Sequence, residues 1–187
     1  VMVMDCLLPY EGDAYFKASL AEPMSCIVGA FRAQYHWPPG TYDYQMGIRE
    51  GGNCALLASA GPMGFGAIDF AIHGPRKPKR LLVTDIDTSR LSRAAQLFPP
   101  EEAARHGVEL RYLNPTELEG ETVVEWVSRF TDGGMMDDVF VFYPGEVLIK
   151  QADSLLGRNG CLNFFAGPTD KSFTAPLNFY DVHYEGH

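Results

Sequence analysis

Cysteine is scarce in this chain and its four copies stand far apart, at Cys6, Cys26, Cys54 and Cys161. No two share a CxxC spacing, so a zinc knuckle or a thioredoxin-like redox pair is excluded, and a disulfide framework does not suit a chain of this size. Three of the four lie in apolar runs, which predicts buried, reduced thiols in a cytoplasmic protein. Positive charge is also in deficit. Fifteen Lys and Arg face 24 Asp and Glu, a formal charge of -9, so the chain is no general binder of nucleic acid, whose phosphates are held by clustered bases. Its basic cluster, Arg76 to Arg80, reads as a solvated loop. No apolar run is long enough to cross a bilayer; Val1 to Leu8 is too short and lacks the flanks of a signal peptide. The five histidines (His36, His73, His106, His183, His187) are scattered and show no ligand spacing. They read as surface or internally satisfied residues, and no metal site is expected.

What remains is a soluble, globular composition, 46% hydrophobic and 21% charged over 187 residues. That is enough for one substantial domain, or for one domain with pieces of another. The organising stretch runs from Asn53 to Gly66. It opens as a short apolar strand, bends through small residues, and continues from Ala67 to Gly74 with helical spacing. Gly61 and Gly64 match the second and third glycines of the dinucleotide fingerprint, while Ser59 stands where the first is usual. The second glycine admits a pyrophosphate and the third lets helix and strand pack closely. A turn without positive φ at Ser59 would explain that substitution without loss of binding.

A second buried strand, Arg80 to Asp87, ends in acid 24 residues beyond Gly61. Asp85 occupies the place where a carboxylate meets the ribose 2′-hydroxyl of a dinucleotide and repels a 2′-phosphate; its alternative is a strand-end acid facing water. Asp87 reads equally well as the cap of the helix that follows. The first twenty residues begin in an apparent strand and look like a piece cut from a longer protein. A helix is expected from Ser19 to near His36. Further helices are expected over 89–98, 101–106, 122–130 and 146–156, and further strands over 109–113, 138–142 and 161–165. Gly157 to Gly160 reads as a helix stop, and the tail around Leu177 to Val182 as strand-like. This alternation predicts an α/β, doubly wound parallel sheet of the Rossmann type. Its cofactor would lie across the strand carboxyl ends, where Gly61, Asp85, Tyr143 and Gly167 fall.

Ala21 to Cys26, Ala60 to Gly64 and Val83 to Asp87, with Arg90 five residues beyond Asp85, resemble the medium-chain, zinc-type alcohol and polyol dehydrogenases. Leu20-Ala21-Glu22-Pro23, Ile48 to Asn53 and Ile68 to Gly74 are most similar to the bacterial L-sorbose 1-phosphate reductase branch. The resemblance covers most of the chain. It implies NAD(P)-dependent chemistry on a sugar phosphate or polyol, with zinc polarising the carbonyl. By position it implies a pyrophosphate turn at Gly61, Pro62, Met63 and Gly64, ribose bound by Asp85, and Arg90 beside the adenosine. Asp85 favours NAD, and Arg90 leaves NADP open. Glu22 matches an acid near the catalytic metal, though a first-turn carboxylate favoured by the helix dipole is the plainer reading.

The family's zinc-binding Cys and His-Glu motifs and its four-cysteine lobe have no counterpart here, and its sixth strand would follow His187. Residues 37–167 are therefore expected to form the cofactor domain, with 1–36 and 168–187 leading to a catalytic domain that holds the zinc. The piece alone should turn nothing over, and the full-length protein should be a homo-oligomer. Two other classes remain: an S-adenosylmethionine-dependent methyltransferase, which shares the Gly-rich turn and strand-end acid, and a non-catalytic nucleotide-sensing domain, which the missing catalytic motifs permit. A turn that opens a helix in the pyrophosphate manner speaks against the first.

Overall fold

The computed structural model describes residues 9–187. The strand expected over Val1 to Met4 and the thiol of Cys6 lie outside them. Fifteen helices and strands follow in order: α1 (Tyr15–Ala18), α2 (Ala21–Ala33), β1 (Tyr35–His36), β2 (Gln45–Met46), β3 (Asn53–Leu57), α3 (Pro62–His73), β4 (Arg80–Thr84), α4 (Thr88–Leu97), α5 (Pro100–Arg105), β5 (Glu109–Leu113), α6 (Val123–Phe130), β6 (Met136–Val141), α7 (Glu146–Leu155), β7 (Leu156–Phe164) and α8 (Phe179–Tyr184). β3 to β7 form one sheet in the order β5-β4-β3-β6-β7, and every pairing in it is parallel. β1 and β2 form a separate antiparallel pair.

Period-two alternation divides the core cleanly. Cys54, Leu56, Leu81, Val83, Leu110 and Phe140 point to one face, where they meet apolar residues of α2, α3, α4 and α5. Ala55, Leu57, Leu82, Leu113, Val139 and Val141 point to the other, against α6 and α7. Both faces being covered explains why β3, β4 and β6 read as unbroken apolar runs. Phe31 of α2 stacks on Phe140 at 4.5 Å between ring centroids and meets Phe70 of α3 edge-on at 5.2 Å. A fully buried side chain such as Phe140 contributes about 1.5–3 kcal/mol.

The helix starts follow local chemistry. Asp87 caps α4 by accepting from the amides of Ser89 and Arg90, as its alternative reading expected. Thr122 and Glu125 close a reciprocal capping box on α6. Pro62 and Pro100 occupy the first turns of α3 and α5, where a missing N–H is harmless.

Three sequence readings are corrected. α2 stops at Ala33, because residues 35–36 leave the helix to pair with β2. Residues 157–160 do not form a helix stop; they swell β7, which opposes Met136–Asp138 of β6 with the longer stretch Leu156–Cys161. Gly157 is needed there, because an added Cβ would stand 2.6 Å from the carbonyl oxygen of Gly134. The tail folds as α8, capped by Asn178, rather than as a strand. Of the thiols described, Cys54 and Cys161 are buried as expected, but Cys26 is exposed.

Candidate functional site

β3 lies at the centre of the sheet, and the chain leaves it to one side for β4 and later to the other for β6. The connections therefore part company at the carboxyl ends of β3 and β6 and leave a crevice. A groove of ≈ 990 Å³ occupies this place, and Gly61, Asp85, Tyr143 and Gly167 all line it. Pro62, Met63, Gly64 and Arg90 line it too, so the six residues singled out around the turn and second strand share one site.

The turn is built by three backbone devices. Ala58, not Ser59, takes the positive φ of 52°, so the fingerprint's first position needs no glycine. Ser59 is fully buried, and its hydroxyl donates to the carbonyl of Leu56 at 2.9 Å. At Gly64 a Cβ would fall 1.7 Å from the carbonyl oxygen of Ser59, so α3 lies directly against the loop. At Gly61 a Cβ would meet nothing within 4 Å among the described residues. The bare backbone there faces open groove. Among the described residues no side chain caps α3, which leaves the amides of Met63 and Gly64 without intrahelical partners at the positive end of the helix dipole. These features suit an approaching anion.

Asp85 is 8% exposed and faces the same turn. Its Oδ2 accepts from the Ala60 amide at 3.1 Å and its Oδ1 from the Asp87 amide at 3.1 Å. A carboxylate has about four acceptor positions, so two remain for ligand hydroxyls. The alternative of an acid simply facing water is thus corrected: the carboxylate joins the β3–α3 turn to the β4–α4 turn. Arg90 stands exposed at the rim, its Nε 3.5 Å from Asp87 Oδ2. Hydrogen bonding from Ser89, with the Arg90 amide next, holds the Asp87 carboxyl below its ordinary range. Buried Asn114 props the β4–α4 turn by donating to the Ile86 carbonyl at 3.2 Å and to Thr88 Oγ1 at 2.9 Å.

Several lining groups escaped the sequence reading. Phe142 and Phe165, at adjoining strand ends, pair with ring centroids 5.0 Å apart. Ile86 and Val147 project into the groove mouth, 73% and 84% exposed. Only the β6–β7 pairing could have revealed the aromatic pair. Glu22, on the first turn of α2, is not among the groove's lining residues; its Oε1 accepts from the Cys26 thiol at 3.3 Å.

At the amino ends of the strands lies a second polar group. Asp138 is almost wholly buried and accepts from Gln34 Nε2 at 2.9 Å, His36 Nε2 at 3.0 Å and the Arg49 amide at 2.8 Å. His36 is thus internally satisfied, as expected. Burial opposes its charged form, but the Asp138 hydrogen bond and charge outweigh it and raise its pKa above 6.5. The histidines are not all scattered, however: His73 and His106 meet ring to ring, 4.5 Å between centroids.

A five-stranded parallel sheet in this order, with its crevice at the central strand ends, is a Rossmann-type fold. No family model matches the sequence. Along nearly its whole length, however, the chain is homologous to sugar-phosphate dehydrogenases. It is 56% identical over 182 residues to mannitol-1-phosphate 5-dehydrogenase of Aliivibrio fischeri, covering 97% of this chain and 43% of that protein. It is 49% identical over 184 residues to L-sorbose 1-phosphate reductase of Klebsiella pneumoniae, covering 98% and 43%. Among solved structures, 2R,3R-butanediol dehydrogenase from Bacillus subtilis superposes with a TM-score of 0.65 at 18% identity, over 96% of this chain and 42% of that one. A zinc-binding dehydrogenase from Sinorhizobium meliloti, solved with NADP, gives 0.65 at 15% identity, over 90% and 41%. The kinship drawn from the residues is borne out, and the chain spans less than half the length of these relatives.

Proposed function

We propose that this chain is the cofactor-binding part of an NAD(P)-dependent, zinc-type oxidoreductase that interconverts a sugar phosphate and its polyol phosphate. The observation that carries the reading is Asp85 bonded to the Ala60 amide, beside a Gly61 that faces open space. The amides of Met63 and Gly64 would hold the pyrophosphate, and the spare acceptors of Asp85 the adenosine ribose hydroxyls. Ile86 and Pro115 offer apolar walls for the adenine, with Arg90 at its edge. The nicotinamide half would run toward Tyr143, Phe142 and Gly167. When bound, the cofactor supplies or accepts the hydride. The buried carboxylate disfavours a 2′-phosphate, so NADH is the expected partner over NADPH.

In this reading residues 37–167 form the cofactor domain, while 1–36 and 168–187 lead to a catalytic domain that holds zinc. Glu22 would stand near that metal. Mannitol 1-phosphate and sorbose 1-phosphate, in the names of the two relatives, mark the substrate class, and a homo-oligomeric cytoplasmic enzyme is the expected whole. The test is a calorimetric titration of the chain with NADH, NADPH and S-adenosylmethionine. Saturable NADH binding, at least tenfold tighter than NADPH, supports the reading. Binding of S-adenosylmethionine alone would replace it with a methyltransferase.

A further inference from the structure

Away from the groove, α3 ends and α5 ends side by side, and their polar residues converge. His73 is the last residue of α3; Glu102 lies on α5, and His106 is its C-cap. One candidate ligand atom from each lies within 4.8 Å of the other two. The Nδ1 of His73 is 3.0 Å from Asp69 Oδ1 and 3.2 Å from the Asp69 carbonyl oxygen. His106 Nε2 is 3.2 Å from Glu102 Oε1, and Glu102 Oε2 accepts from Arg105 Nη1 at 2.6 Å. The side chains of His73, Glu102 and His106 keep 39%, 38% and 35% of their exposure.

We propose that His73, Glu102 and His106 form a binding site for a divalent transition-metal ion, zinc above all, with water completing the shell. Two imidazoles and one carboxylate are a donor set suited to zinc. Tetrahedral zinc with ligands at about 2.1 Å holds its donor atoms roughly 3.4 Å apart. No pair of donor atoms therefore has to close from 4.8 Å by more than about 1.4 Å, which partly exposed rotamers allow. Asp69 supplies the outer support: a carboxylate on one ring nitrogen fixes the tautomer and leaves the other nitrogen free for metal. Arg105 holds Glu102 through the oxygen turned away from His106. As two separate surface ion pairs, Asp69–His73 and Glu102–His106 would contribute little. Their convergence, with the two imidazoles edge-on at 4.5 Å, is what makes a three-donor site. A bound ion pins the far end of α3, whose opening turn is Gly61–Gly64.

The site draws on no residue of the groove, so its test is independent of cofactor binding. The chain, freed of metal by chelation, is titrated with Zn²⁺ and with Co²⁺ while absorption, binding heat and melting are followed. One equivalent is expected to bind, to raise the melting temperature, and to give cobalt ligand-field bands without thiolate charge-transfer bands. His73→Ala and His106→Ala should each weaken binding at least tenfold, and both should melt with the wild type in chelator. Absence of saturable binding, unchanged affinity in His73→Ala and His106→Ala, or thiolate bands from a cysteine site would overturn the proposal. Should a variant not fold, anomalous scattering at the zinc edge from wild-type crystals decides: metal at these side chains sustains it, and metal elsewhere or none refutes it.

Discussion

Two glycines three residues apart carry opposite expectations, and the contrast tests the site more sharply than either alone. An alanine at Gly64 would put its Cβ 1.7 Å from the carbonyl oxygen of Ser59 and 2.4 Å from its carbonyl carbon, where real Cβ atoms keep at least 3.0 Å. α3 would have to retreat by about 1.3 Å from a loop that Ser59 and Asp85 hold in place. The obstructing atoms are backbone, so no rotamer change relieves them. Overpacking of this kind costs typically about 1–3 kcal/mol, occasionally more, and the overlap puts Gly64→Ala at the upper end. For a chain of this length 3 kcal/mol lowers the melting temperature by roughly 6–12 °C. At Gly61 the added methyl meets nothing, and φ of -106° suits any residue. There Ala replaces Gly only as the cap of α3, a loss of about 1 kcal/mol or less. Its methyl nevertheless stands in the groove, where the pyrophosphate is proposed to lie against bare backbone. Urea unfolding of the ligand-free chain should therefore separate the variants by about 2 kcal/mol or more, with Gly61→Ala near wild type. NADH titration should instead show Gly61→Ala weakened at least tenfold. Equal unfolding midpoints would refute the packing reasoning, and wild-type NADH affinity in Gly61→Ala would refute the placing of the phosphates.

Asp85→Ala removes the acceptor for the Ala60 and Asp87 amides, at about 1–3 kcal/mol for each amide left unsatisfied, and should cut NADH affinity more than NADPH affinity. Parallel denaturation and fluorescence titrations measure both. Thr122→Ala deletes one arm of the α6 capping box and should lower stability by about 1 kcal/mol without changing NADH affinity. His36 has a folded-state pKa raised above 6.5, so its stabilisation is complete below that value and fades as pH rises through the raised one. The stability gap between wild type and His36→Asn should thus be wider at pH 6 than at pH 8.5, as read by urea unfolding at each pH; a gap that widens toward alkaline pH would contradict the His36–Asp138 pairing.

The sheet was legible in the sequence because its strands are buried on both faces, so Cys54–Leu57, Leu81–Val83 and Val139–Val141 read as unbroken apolar runs between turn residues. The fingerprint turn was legible because Gly61 and Gly64 meet constraints that act within a few residues. What was not legible depends on distant partners. Gly157 to Gly160 look like a helix stop, and only the approach of the Gly134 carbonyl shows them to be part of β7. Alternation around Leu177 to Val182 predicts a strand, but among the described residues no strand pairs with it, and the Asn178 cap with Asp181 in the first turn favours a helix. His36 meets Asp138 across 102 residues of chain. His73 and His106 stand at the ends of different helices, so no histidine spacing along one helix reveals them. The repeated spacing was carboxylate to histidine, at Asp69–His73 and Glu102–His106, on two helices that the fold brings together.

Asp85 also shows why the groove is preorganised. A strand-end acid held only by water would turn toward solvent and would have to be ordered when a ligand arrives, at about 0.5–1.5 kcal/mol for the side chain. Here the Ala60 and Asp87 amides fix both oxygens before any ligand binds. The same two bonds join the turn after β3 to the turn after β4, so the proposed pyrophosphate and ribose positions are set relative to each other by one side chain. Glu at this position would retain the charge but, being one methylene longer, would displace one turn from the other. Asp85→Glu should therefore lose most of its NADH affinity although its charge is unchanged, while a charge-only role predicts near-normal binding. A titration of that variant, set beside its unfolding curve, distinguishes the two accounts.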